Sequence, residues 1–212
     1  MTDHILHLPE CFALCDCKEV IDFFDKTKDL QREGTAGIDP ETGKGRVNTS
    51  IKKCSQMSLD LNNKDQYPNI CYSIVRALDS GLVEYRKEYP FLNNINRWDI
   101  LPYFNIQKYD PGDAYYRIHC ENDGGSNVFL SRMAAWMIYL NDVTDAGETV
   151  FPAQKKQFKP CAGDLLLWPS YWTHPHRGIP SPTQTKYIAT GWLIFYETHE
   201  KLQSFFGSQT FL

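Results

Sequence analysis

The chain has 212 residues, 42% of them hydrophobic and 23% charged, which allows a sizeable core and excludes a disordered or fibrous protein. Lys plus Arg number 22 against 26 Asp plus Glu, a formal net charge of -4 that argues against nucleic acid as the main partner. Aromatic residues reach 14%, a supply suited to a pocket lining or a thick core. No apolar run approaches the length of a membrane span, so no membrane partner is expected. The first twenty residues lack the basic start and long apolar stretch of a signal peptide. Cysteines stand at 11, 15, 17, 54, 71, 120 and 161, an odd and uneven set that reads as reduced thiols in a cytoplasmic location.

The first half reads as helical. Asp16, Cys17, Lys18 and Glu19 have the form of a capping box, and Val20, Phe23, Phe24 and Leu30 then mark one side of a helix ending near Gln31. The Gly-rich polar stretch 34–48 reads as a loop, which with Arg32, Lys44 and Arg46 either closes over a substrate or stays an uninvolved surface segment. Pro68 can open a second helix, with Ile70, Ile74, Leu78 and Leu82 recurring every four residues and Pro90 bounding it. From about Tyr103 the pattern changes to short β-branched and aromatic runs, which predict strands over 103–109, 115–121, 128–140, 164–168 and 186–196. Turn chemistry separates them, as in Pro111-Gly112-Asp113 and Asp145-Ala146-Gly147. Such spacing without intervening helices predicts an antiparallel sandwich or jelly roll, mainly β, with the N-terminal helices as support.

Three histidines fall in the strand-rich half: His119, His174 and His176. His119 and Glu121 are two apart in a predicted strand, so both side chains leave one face and could grip one metal ion. A histidine from a distant strand would complete the facial triad of non-heme Fe(II) oxygenases; a polar surface strand is the alternative. In the last predicted strand Lys186, Ile188, Thr190 and Trp192 share a face. A lysine turned inward needs an anion, either an internal partner such as Glu148 or Asp164, or a dicarboxylate cosubstrate.

Three blocks resemble the Fe(II)- and 2-oxoglutarate-dependent dioxygenases, and among them the prolyl 4-hydroxylase group. They are Tyr109 to Glu121 around the His-x-Glu pair, Arg132 to Asp142 followed by Gly147 to Phe151, and His176-Arg177-Gly178 with Lys186 and Trp192 beyond. The resemblance implies a double-stranded β-helix (jelly roll), with residues 1–212 as one dioxygenase domain: about 1–95 as helical support and about 96–200 as the core. It implies that His119, Glu121 and His176 hold Fe(II); the ten-residue interval to Lys186 favours His176 over His174, which is read as lying behind the ligands or at the surface. Lys186 would pair with 2-oxoglutarate and Thr149 would supply a hydroxyl near the same carboxylate. Tyr116 matches an aromatic of the pocket lining, an assignment that requires a bend because strand parity turns it away from His119. Arg132 and Trp192 match positions that contact the peptide substrate. The family's pattern has Asp where this chain has Glu121, a longer side chain with the same charge and donor. The implied reaction uses Fe(II), 2-oxoglutarate and O2, with ascorbate as an optional addition. It releases succinate and CO2 and hydroxylates a proline-containing peptide or protein. The alternatives are the same chemistry on a small molecule or free amino acid, and a non-catalytic jelly-roll binding module with a degenerate metal site.

Overall fold

The computed structural model describes residues 3–39, 41–62, 66–125 and 127–196. A short strand, β1 (Leu6–Leu8), leads into α1 (Leu14–Lys26), which buries Cys17, Val20 and Phe24. The expected capping box does not form: the helix starts one turn earlier, on Ala13, whose side chain caps nothing. Asp16 therefore lies in the first turn, where a negative charge suits the helix dipole, and pairs with Arg76 at 2.9 Å. The helix also stops earlier than Gln31. The Thr27 amide turns back onto the carbonyls of Phe23 and Phe24, a 3-10 turn follows, and Leu30 is left largely exposed.

The stretch 34–48 is a hairpin rather than a loop. After β2 (Arg32–Glu33) come β3 (Thr35–Ile38) and β4 (Gly45–Val47), paired antiparallel. Asp39 Oδ1 accepts from the amides of Glu41 and Thr42, which fixes the turn between them. The next strand, β5 (Ser55–Asp60), has no counterpart in the sequence reading. Its Met57 and Leu59 are buried while Gln56, Ser58 and Asp60 alternate with them, so half of its side chains look like loop chemistry. The helix opened by Pro68, α2 (Pro68–Glu88), forms as predicted and buries Ile70, Ile74 and Leu78. Gly81 lets this helix lie close to the sheet: a Cβ there would stand 2.3 Å from Leu165 Cδ2.

In the second half β6 runs over Trp98–Tyr109, longer than predicted. The strand expected over 115–121 is absent; the chain there is irregular, touching neighbours through isolated bridges at Lys52–Tyr115 and His119–His176. The start of the predicted 128–140 strand is a short helix, α3 (Asn127–Leu130), followed by β7 (Arg132–Tyr139). The remaining strands are β8 (Thr149–Phe151), β9 (Lys156–Phe158), β10 (Leu165–Pro169), β11 (Arg177–Gly178) and β12 (Lys186–Phe195). Residues 197–212, including the end of the predicted jelly-roll core, lie outside the described residues.

A seven-stranded antiparallel sheet carries the order β1-β10-β7-β12-β6-β5-β2, and a smaller sheet the order β11-β8-β9. The first half thus contributes strands as well as helices. Strand alternation splits the core into two layers. Phe104, Ile106, Trp136, Ile138 and Leu167 meet the helices, in one cluster with Val20, Phe24 and Ile74. Tyr139, Leu166, Trp168 and Ile188 turn the other way and meet Phe151 of the small sheet. Two facing sheets with helices backing one of them make a jelly roll that is mainly β. No helix among the described residues is long and apolar enough to cross a membrane.

Candidate active site

The site forms where two irregular segments meet at the mouth of the sandwich. His119 and His176 exchange backbone hydrogen bonds, N to O at 3.0 and 2.9 Å, so the two rings are brought side by side without a continuous strand. Each ring is then oriented by its own chain: His119 Nδ1 donates to the Arg117 carbonyl (2.9 Å) and His176 Nδ1 to the His174 carbonyl (3.0 Å). A carbonyl can only accept, so Nδ1 carries the hydrogen and a neutral ring presents Nε2 as a bare donor of electrons. Both Nε2 atoms face Glu121 Oε1, at 3.6 and 3.4 Å.

Among the described residues these three are the one group whose ligand atoms, one from each, lie within 4.8 Å of one another. Two imidazoles and a carboxylate gathered this closely suit a cation bound about 2.1 Å from each donor. The residues fit a facial Fe(II) site. Burial lowers the His119 pKa, which favours the neutral ring that a metal needs. Burial would raise Glu121, but hydrogen bonds and charge from the two imidazoles, when their Nε2 atoms are protonated, hold its carboxyl well below the usual range; a cation in place of those protons would exert the same pull.

Glu121 is steadied from behind. Trp192 Nε1 donates to Oε2 at 2.8 Å, and Arg132 donates to the Glu121 backbone carbonyl at 2.9 Å. The Arg132 guanidinium is sandwiched between Trp192 and Phe129, 3.8 and 4.0 Å from the ring centroids. Burial brings Arg132 down to about 10. Tyr115 stacks on His119 at 3.6 Å, and Phe151 and Trp168 wall His176 at 5.2 and 5.1 Å, which dries that side of the site.

Lys186 stands deeper in the same cleft, 5% exposed. Its Nζ donates to the Gly147 carbonyl (2.9 Å) and lies 5.2 Å from the Tyr109 ring. Neither expected internal partner pairs with it: Asp164 is engaged by His7 at 2.6 Å, and Glu148 makes no ion pair among the described residues. Burial lowers the Lys186 ammonium to about 8, opposed by Glu148. Thr149 lines this end of the cleft, its Oγ1 within 2.7 Å of the Tyr139 hydroxyl. An uncompensated ammonium beside a hydroxyl fits the distal carboxylate of 2-oxoglutarate.

The structure therefore brings His119, Glu121, His176, Lys186, Thr149, Arg132 and Trp192 to one cleft of about 1060 Å³. His174 is turned away, its Nε2 on the Asp3 carbonyl at 2.7 Å. Tyr116 departs from expectation: its hydroxyl donates to the Gly112 carbonyl (2.8 Å), and the residue lies outside the lining. Its neighbour Tyr115 takes the place against the metal ligands. Tyr109 was also missed, although its cross-strand pairing with Lys186 was accessible to strand alternation.

Fold and donor set together define a class: jelly-roll proteins with two histidines and one carboxylate on one face of a metal position. The family model described as the 2OG-Fe(II) oxygenase superfamily matches residues 104–194. A protein of Acanthamoeba polyphaga mimivirus that carries the prolyl 4-hydroxylase name is 31% identical over 123 residues, 49% of this chain and 51% of its own. Probable prolyl 4-hydroxylase 3 of Arabidopsis thaliana is 27% identical over 188 residues, 74% of this chain and 58% of its own. The chain thus spans about half the length of these curated relatives. A solved prolyl hydroxylase of Trichoplax adhaerens, in complex with a hypoxia inducible factor peptide fragment, superposes with a TM-score of 0.66 at 17% identity, covering 98% of this chain and 89% of that one. Over residues 104–194 the chain is similar to the 2OG-Fe(II) oxygenase superfamily, and within it to prolyl 4-hydroxylases.

Proposed function

We propose that the protein is an Fe(II)- and 2-oxoglutarate-dependent dioxygenase that hydroxylates prolyl residues in a peptide or protein. The observation that carries this reading is a buried, unpaired Lys186 in the same cleft as the His119, Glu121 and His176 set. Bound Fe(II) with 2-oxoglutarate would supply oxidation by O2, with succinate and CO2 released. The chain's own residues do the rest. His119, His176 and Glu121 would hold the metal on one face and leave the opposite positions open. Lys186 and Thr149 would orient the cosubstrate through its distal carboxylate. Tyr115, Phe151 and Trp168 keep water from the histidines, and Arg132 with Trp192 fixes Glu121 at the border of the substrate space.

The Trichoplax adhaerens relative is complexed with a peptide, and a cleft of about 1060 Å³ has room for an extended segment beside the cosubstrate, which supports a peptide over a free amino acid. We read the chain as one dioxygenase unit, supported by β1, β2 and β5 completing the main sheet. A reducing, cytoplasmic location is supported by the odd and uneven set of seven cysteines.

The test is Fe(II)-dependent conversion of 2-oxoglutarate to succinate, run with a panel of proline-containing peptides read for a gain of about 16 Da, one oxygen atom. His176→Ala and Glu121→Ala should abolish both signals. Turnover that survives either change would refute the site.

A further inference from the structure

The cleft continues past the metal position along the face of β6, β5 and β2, and that wall holds a buried cation, Lys52, and a half-buried one, Arg32. Lys52 is 5% exposed. Its Nζ donates to Gln56 Oε1 (3.2 Å) and the Thr35 carbonyl (3.3 Å), and it lies 5.5 Å from the centroid of Tyr115, the ring stacked on His119. Arg32 sits across from Gln56 in the β2–β5 pairing and donates to Ser58 Oγ at 2.6 Å. Its Nε is buried with no hydrogen-bond partner. Neither cation makes an ion pair among the described residues. Burial lowers the pKa of both; for Lys52, Cys54 and Glu121 work against that lowering and Arg32 adds to it.

Two adjoining cations, both lining the cleft and one with an unsatisfied N–H, are costly unless a ligand meets them. The cosubstrate does not account for them, because its distal carboxylate is assigned to Lys186 and Thr149, on β12 and β8. The carboxylates on the same lining are Glu121, which faces the histidines and Trp192, and Asp60 and Asp123, which lie beyond ion-pair distance of either cation. The exposed Lys44 of the β3–β4 hairpin adds a third positive group at the rim.

We propose that Lys52, Arg32 and Gln56 form a second anion subsite, which receives a carboxylate carried by the substrate that is oxidised. This rests on the reading of the cleft as a prolyl hydroxylase site and deepens it. The length of the cleft favours the acidic side chain of a residue near the target proline, with Lys52 and Arg32 on its two oxygens and Gln56 as a neutral donor beside them. The other source of the same chemistry is the α-carboxylate of a free amino acid or peptide terminus.

The experiment uses the full chain and terminally blocked peptides in which one proline is flanked, at successive positions, by Asp or Glu, by Asn or Gln, or by Lys. Turnover is read as succinate and hydroxylated peptide. Binding is read separately by fluorescence anisotropy with Zn2+ in place of Fe(II). At one flanking position the acidic peptide should exceed its amide counterpart at least tenfold in kcat/KM. Lys52→Gln and Arg32→Gln should each collapse that ratio towards one, and Lys52→Arg should restore most of it in a protein of unchanged melting temperature. Free proline and unblocked peptides that gain the advantage, in a Lys52-dependent way, assign the subsite to an α-carboxylate. Peptides hydroxylated with no regard to flanking or terminal charge overturn the subsite while prolyl hydroxylation stands. Acidic peptides that bind through Lys52 without being hydroxylated keep the subsite and overturn the prolyl reading.

Discussion

Glu121 is one methylene longer than the aspartate of the resembling family, and its surroundings use that length. One oxygen faces the two histidines while the other reaches the indole N–H of Trp192. A shorter carboxylate could not keep both engagements. Trp192→Phe removes the indole donor and leaves Glu121 free to rotate; loss of such an orienting group weakens metal binding about 10- to 100-fold, to be measured by titration with a divalent metal. Lys186 sets a pH dependence at the same scale. Its ammonium titrates near 8 in the free protein, and an opposing carboxylate raises that value. Affinity for 2-oxoglutarate should therefore be flat below about pH 8 and fall as pH rises above it, by up to about tenfold per unit. Lys186→Ala should lower the affinity and abolish the slope. The same burial bears on folding in the opposite sense. Because the folded value lies below the 10.5 of the free side chain, Lys186 opposes folding most below about pH 8, and the penalty is relieved as pH rises from there towards 10.5.

Among the elements, the β3–β4 hairpin and the α2–β10 contact make separate demands. Gly37, Ile38, Thr42 and Gly45 of the hairpin line the cleft on the side away from Lys186. Replacing the hairpin by a short Gly-Ser link should raise KM for a peptide substrate several-fold and leave KM for 2-oxoglutarate unchanged, a split readable in steady-state kinetics. Gly81→Val would drive a side chain into Leu165, and overpacking of this kind costs about 1–3 kcal/mol, seen as a melting temperature lowered by roughly 2–4 °C per kcal/mol. These elements also show what the sequence makes legible. The 3.6-residue period of α2 and the alternation of β12 are local patterns, and both form where expected. β5 was hidden because its cleft face is polar, so Gln56 and Ser58 read as loop. The His-x-Glu pair was found through strand parity, yet the strand is absent; a long-range bridge between His119 and His176 does the positioning, and no local window contains it. Tyr116 was assigned through the resemblance and against strand parity; the parity, which puts Tyr115 with His119, is what the structure follows.

At the scale of the molecule, ligand binding and folding are coupled. Metal and cosubstrate engage the folded cleft alone, so at about 100-fold excess over Kd a ligand adds about 2.7 kcal/mol. Divalent metal plus 2-oxoglutarate should raise the melting temperature by several degrees, chelation should reverse the rise, and His119→Ala should remove it. A fold change on this scale would also show in time. The amides of His119 and His176 donate to each other's carbonyls across segments 57 positions apart in the chain, each ending in a metal-facing ring. That pair is a latch between two stretches with little regular structure of their own, and such stretches open locally at small cost. A cation shared by both side chains would close the latch, so deuterium uptake at these two amides should slow by orders of magnitude on metal addition while the interior of β12 changes little. The metal position would then serve the protein twice, as a place for chemistry and as the clasp that decides how often the mouth of the sandwich opens.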